Sequence, residues 1–138
     1  MIYEVDNLTF SYPGTERKVI NRASLSIEEG ETLCILGPNG AGKSTLLNCM
    51  VGLLKPEGGS IRICGSDISK MHEKEIAKII GYVPQTHVPT FDYAVLDFVL
   101  MGRAHAIGAF GRPTKKDIEI CMEALESMGI EDLAEKSY

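Results

Sequence analysis

The sequence predicts an α/β fold in which an antiparallel β part lies beside a strand–loop–helix core. Three observations carry this. Apolar residues recur at roughly every second position on either side of a Pro-Gly turn in the first 27 residues. A short, wholly apolar run then stops at a glycine at 32–37, the pattern of a strand buried on both faces of a sheet. Directly after Lys43 the apolar period becomes helical, at Leu46, Leu47, Met50, Leu53 and Leu54.

The elements follow in order. Residues 2–10 place Ile2, Val5, Leu8 and Phe10 in imperfect alternation, which predicts a strand with a bulge. SYPGTERK is a turn, VINRASLSI a second strand, and EEGE a polar turn. The helix after Lys43 must end between Gly52 and Pro56, because proline and the Gly58-Gly59 pair cannot continue it. GGSIRICGSDI predicts a strand with Ile61 and Ile63 on one side and Arg62 and Cys64 on the other. HEKEIAKII is a short amphipathic helix and IIGYVPQ a strand broken at Pro84. AVLDFVLM (94–101) suits an apolar helix, and 102–113 reads as a loop. The last helix has the clearest signals: Thr114 as cap, Asp117 three residues on, one face of Ile118, Cys121, Met122 and Leu125, and Gly129 as a left-handed stop.

Composition narrows the class. With 138 residues the chain makes one domain rather than two. A net charge of −5 gives no basic footprint for nucleic acid. No run of eighteen apolar residues occurs, and MIYEVDNLTF lacks the basic start and apolar stretch of a signal peptide, which points to the cytoplasm. Cys34, Cys49, Cys64 and Cys121 form no metal-type cluster and are expected to be buried, reduced thiols. His72, His87 and His105 are expected at the surface.

The chemistry is concentrated in Gly37-Pro38-Asn39-Gly40-Ala41-Gly42-Lys43-Ser44, which satisfies GxxxxGK[ST] at every fixed position, with an apolar strand entering and an apolar helix leaving. Glycines 37, 40 and 42 let the backbone turn successive N–H groups inward as an anion nest, and the positive end of the helix dipole points the same way. Lys43 reaches the β- and γ-phosphates in such loops, Ser44 offers a hydroxyl to Mg²⁺, and Thr45 is placed to donate to the α-phosphate. The loop thus predicts binding of the phosphates of Mg-ATP. A guanine-reading NKxD is absent.

FSYPG (10–14), the run from Leu25 to Ile68 and IIGYVPQ together resemble the ATP-binding subunits of ABC transporters. The resemblance covers the whole chain as the N-terminal portion of one ATP-binding domain, with antiparallel strands and P-loop in 1–65 and a glutamine-bearing strand and the start of a helical region in 66–138. It implies an incomplete parallel core sheet beside the antiparallel part. It also implies that Tyr12 stacks on adenine, that Gln85 contacts Mg²⁺ and the attacking water, and that Lys43 and Gln85 are the catalytic groups present. Residues 86–112 would receive transmembrane permease subunits, with a second ATP-binding subunit closing the site and the whole held at the inner face of the cell membrane. The run from Gln85 to Ile120 looks most like importers of iron chelates, haem or cobalamin.

The family's signature loop, its apolar strand ending in Asp-Glu and its later histidine are not found. Asp97 continues into helical FVLM with no Glu beside it. The expectation is therefore a chain with exposed apolar strand edges, weak nucleotide binding when alone and little hydrolysis. A soluble ABC ATPase of DNA repair or translation, and a non-enzymatic fragment, are the competing readings.

Overall fold

The computed structural model describes residues 2–85, 92–107 and 111–138, the side chain of His105 excepted. The chain divides into two compact units, Met1–Tyr82 and Val83–Tyr138.

The first unit is built on a four-stranded antiparallel sheet, in the order β2-β1-β3-β4. Its strands are β1 (Tyr3–Ser11), β2 (Lys18–Ile27), β3 (Gly58–Ile63) and β4 (Ser66–Asp67). β1 is central: Val5 pairs with Leu25 on one side and Ile61 on the other. The expected bulge is present. The register shifts after Val5, Asn7 has φ 48°, and Leu8 is thereby returned to the face that buries Val5 and Phe10. Opposite it, a Cβ on Gly59 would lie 2.4 Å from the Asp6 carbonyl oxygen, so only glycine lets β3 approach the bulge. β3 and β4 are joined by Cys64 and Gly65, both at positive φ (49° and 79°), the conformation that matches the strands' own twist in a two-residue hairpin. Ile61 and Ile63 face the core while Arg62 and Cys64 face out, as the alternation predicts.

Helix α1 (Lys43–Met50) packs Cys49 and Met50 into a core of Val5, Leu8, Phe10, Ile20, Ile61, Ile63 and Ile68. Its far end stops at Gly52, φ 79°, where the Leu53 and Leu54 N–H groups bond back to the Asn48 carbonyl. The Tyr3 hydroxyl donates to the Met50 carbonyl, tying that end to β1, and burial pushes the Tyr3 phenol well above its usual pKa. A 3₁₀ turn (Ile68–Lys70) follows, with the Asp67 carboxylate accepting from the Ser69 N–H. The short helix α2 (Glu73–Ile76) comes next, its Glu75 carboxylate reaching back to the His72 N–H.

Two expected strands are not formed. Neither 32–37 nor 79–85 takes part in a ladder among the described residues, so the parallel core sheet is not formed there. A strand exists only through its partners' hydrogen bonds, and these two segments have none of that kind. Several of their apolar side chains stand in water accordingly, with Leu36 90% and Val83 92% exposed, while Ile80 packs against the core. Ile35 and Leu36 line a hollow of about 220 Å³ together with Val19 and Ile20 of β2.

The second unit is helical: α3 (Val95–Met101), α4 (Ala104–Ile107), α5 (Lys115–Ser127) and a 3₁₀ turn (Glu131–Leu133). Part of the expected 102–113 loop is therefore helix. α5 begins as predicted. Thr114 Oγ1 accepts from the Asp117 N–H, and the Asp117 carboxylate accepts from the Thr114 N–H (2.9 Å) and hydroxyl (2.6 Å). Arg103 Nε and Nη2 bind the other Asp117 oxygen at 3.1 and 3.0 Å. These bonds, Thr114's first, hold Asp117 at a pKa of about 2. The buried face of α5 is Asp117, Cys121 and Leu125, whereas Ile118 is 39% exposed. Gly129 stops the helix at φ 68°. The tail returns over α3: the Val95 and Leu96 N–H groups bond to the Lys136 and Ala134 carbonyls, and the Tyr138 ring stacks on Phe98 at 4.2 Å. Asp97 sits on the first turn of α3.

The cysteines divide evenly, which corrects the expectation of four buried thiols. Cys49 and Cys121 are buried, and burial raises both thiol pKa values. Cys34 and Cys64 are exposed, because one lies on the unpaired 32–37 segment and the other in a hairpin turn. His72 is exposed as expected, while His87 and the His105 side chain lie outside the described residues.

Candidate functional site

The Gly37–Ser44 loop leads into the start of α1. Gly40 and Gly42 have φ 78° and 93°, and Gly42 is the residue at which the chain turns into the helix. These are the left-handed conformations that reverse N–H directions in a nest. Gly37 is not at positive φ, and a Cβ there would meet only the Ala41 Cβ at an ordinary 3.5 Å. The conformational demand predicted for three glycines thus falls on two here. Gly42 has a second reason to be glycine, since a Cβ would come within 3.0 Å of the Val19 carbonyl oxygen. Between these glycines the loop is held by the Ala41 N–H donating to the Pro38 carbonyl (3.2 Å), with Asn39 exposed at its tip.

No side chain caps α1 at Gly42, and no acidic residue stands in its first turn. The orphan N–H groups and the positive end of the dipole are therefore presented at the loop. Lys43 adds a full charge there. Its ammonium donates to the Gly37 carbonyl at 2.7 Å and the Pro38 carbonyl at 2.9 Å, which folds the side chain over the loop. Ser44 is exposed beside it.

Tyr12 reaches the same helix from the opposite end of β1. Tyr12-Pro13-Gly14-Thr15 is a type II turn, with Gly14 at φ 79° and the Thr15 N–H donating to the Tyr12 carbonyl at 3.1 Å. The Tyr12 ring meets Phe10 edge to face, with centroids 5.1 Å apart and planes at 87°. Its hydroxyl lies 3.0 Å from the Thr45 hydroxyl. Thr45 is only 7% exposed, and Tyr12 is 43% exposed. The structure therefore brings Tyr12 together with the helix that carries Lys43, Ser44 and Thr45. Gln85 belongs to the second unit and is exposed.

Phe10 and Val19 escaped the sequence reading as site residues. The spacing of Phe10 two residues before Tyr12, which puts both on one strand face, was the available signal for the first. Nothing in the sequence marks Val19 as the neighbour of Gly42. Among the described residues no group of His, Cys, Asp and Glu side chains forms a metal site, and no helix is long and apolar enough to cross a membrane.

Comparisons with known proteins identify the family. The family profile described as ABC transporter matches residues 20–138. A probable iron chelatin transport ATP-binding protein of Helicobacter pylori (strain ATCC 700392 / 26695) is 40% identical over 137 residues, covering 99% of this chain and 53% of the relative. A solved inward-facing structure of a putative metal-chelate type ABC transporter superposes with a TM-score of 0.76 at 31% identity, over 98% of this chain and 47% of that one. A dimeric ATP-binding cassette in a post-hydrolysis state, bound to ADP and Pi, superposes with a TM-score of 0.77 at 27% identity, over 98% and 61%. The chain spans about half the length of the curated relatives it matches. With a P-loop at the mouth of an uncapped helix, an antiparallel sheet placing Tyr12 on that helix, and a profile match over most of its residues, the chain belongs to the ABC transporter family.

Proposed function

We propose that residues 37–45 cradle the triphosphate of Mg-ATP and that this chain is the nucleotide-binding part of an importer of metal chelates. The observation that supports the site most is the combination at α1: two left-handed glycines, a helix start without side-chain cap or acid, and an ammonium held over the loop. A triphosphate satisfies both the orphan N–H groups and the dipole. Lys43 exchanges its bonds to the neutral Gly37 and Pro38 carbonyls for charge-assisted bonds to the anionic β- and γ-phosphate oxygens.

The donor set fits Mg²⁺ in the way nucleotide sites use it. Ser44 would hold the ion through its one exposed hydroxyl, in company with the phosphate oxygens, because Mg²⁺ keeps few protein ligands. The ion, when bound, neutralises charge developing on the phosphates. By the family resemblance Tyr12 would give its exposed ring face to the base, and Gln85 would be a ligand of the metal and the water. Hydrolysis belongs to the whole protein with a second ATP-binding subunit, since neither a signature loop nor an Asp-Glu strand occurs in these 138 residues. The metal-chelate assignment rests on the resemblance of the chain to the Helicobacter protein and the metal-chelate type transporter. Transmembrane permease subunits would hold the assembly at the inner face of the membrane.

Titration of a fluorescent ATP analogue into the chain and into K43A, with and without Mg²⁺, tests the site. Mg²⁺-dependent binding by the parent chain, lost in K43A, supports it; equal weak binding by both removes it. Co-purification with an integral membrane subunit tests the transport role, and recovery of a nucleic acid in its place would contradict it.

A further inference from the structure

Tyr12 meets α1 through its hydroxyl, not only through the proximity of its ring. Phe10, 5% exposed, seats the ring edge to face, the Pro13-Gly14 turn fixes its backbone, and Oη lies 3.0 Å from Thr45 Oγ1. Thr45 is the third residue of α1 and stands in the turn whose N–H groups face the loop. A hydroxyl can accept one hydrogen bond while donating another. If the phenol donates to Thr45 Oγ1, the threonine proton is left to point at an anion, and each bond in such a chain polarises the next.

We propose that Tyr12 is a positioning residue for the phosphates: its hydroxyl sets the Thr45 hydroxyl as a donor to the bound phosphate chain, independently of any base on its ring. This rests on the reading that residues 37–45 bind a triphosphate. It separates two contributions of one side chain, since phenylalanine keeps the ring and loses only the hydroxyl.

The probe is inorganic tripolyphosphate with Mg²⁺, which has no base to stack, compared with Mg-ATP by calorimetric titration. Y12F weakens tripolyphosphate about three- to tenfold, the range for loss of one hydrogen bond, and weakens ATP by the same factor. In a T45V background Y12F has no further effect, whereas in T45S, which keeps the hydroxyl, its full effect remains. Circular dichroism confirms that each variant is folded before titration. Unchanged or tighter tripolyphosphate binding by Y12F overturns the proposal, as does a Y12F penalty that persists undiminished in T45V. K43A binding both ligands as well as the parent chain would instead remove the phosphate site itself, and this role with it.

Discussion

The hydroxyls of Tyr12 and Thr45 stand 3.0 Å apart across 33 residues of sequence, joining the end of β1 to the first turn of α1. Phenylalanine at position 12 keeps the ring and removes this one hydrogen bond. Y12F is therefore expected to lower the stability of the parent chain by about 0.5–1.5 kcal/mol, read as a lower urea midpoint with an unchanged slope.

Gly59 and Gly14 both have left-handed backbones, at φ 86° and 79°, but differ in what a side chain would meet. At Gly14 a Cβ has nothing within 4 Å, and Gly14→Ala costs about 1–2 kcal/mol of conformational strain. At Gly59 it strikes the Asp6 and Asn7 backbone at 2.4–2.6 Å, and β1 is central to the sheet. Gly59→Ala should cost clearly more than Gly14→Ala in the same urea titration. Equal costs would mean that the bulge gives way.

Thiol labelling followed by mass spectrometry should find two cysteines fast and two slow. Cys34 and Cys64 are exposed, whereas Cys49 and Cys121 are buried with raised pKa values, so both access and thiolate fraction disfavour them.

The start of α5 sets an acid limit. Thr114 and Arg103 hold the Asp117 carboxyl at about 2, below the roughly 3.9 of an unfolded aspartate. The unfolded state therefore binds the proton more readily, and the contribution is complete above about pH 4 and is lost as pH falls through about 2. An NMR titration should place the Asp117 midpoint near 2 in the parent chain and higher in T114A. An unshifted T114A midpoint would exclude Thr114 as the chief cause.

Much of this was legible in the sequence, for identifiable reasons. The bulge in β1, the Gly52 and Gly129 stops, the Thr114–Asp117 box and the facing of Ile61 and Ile63 are local, fixed by residue type and spacing. The strands expected at 32–37 and 79–85 were misread because apolar composition marks a segment suited to a sheet, while the strand itself needs ladder partners. The loop motif points to Lys43 and Ser44 as candidates by residue type and spacing, but the bond between Tyr12 and Thr45 is a tertiary fact that no spacing encodes. For the same reason Arg103 was not expected at Asp117.

The central claim is that Lys43 and the glycines around it form a triphosphate site, and Mg-ATP binding to the parent chain and K43A tests it most directly. Loss of one charged hydrogen-bonding group is worth about 1.5–3 kcal/mol, so K43A should bind at least about tenfold more weakly. Binding by K43A equal to that of the parent chain would contradict it.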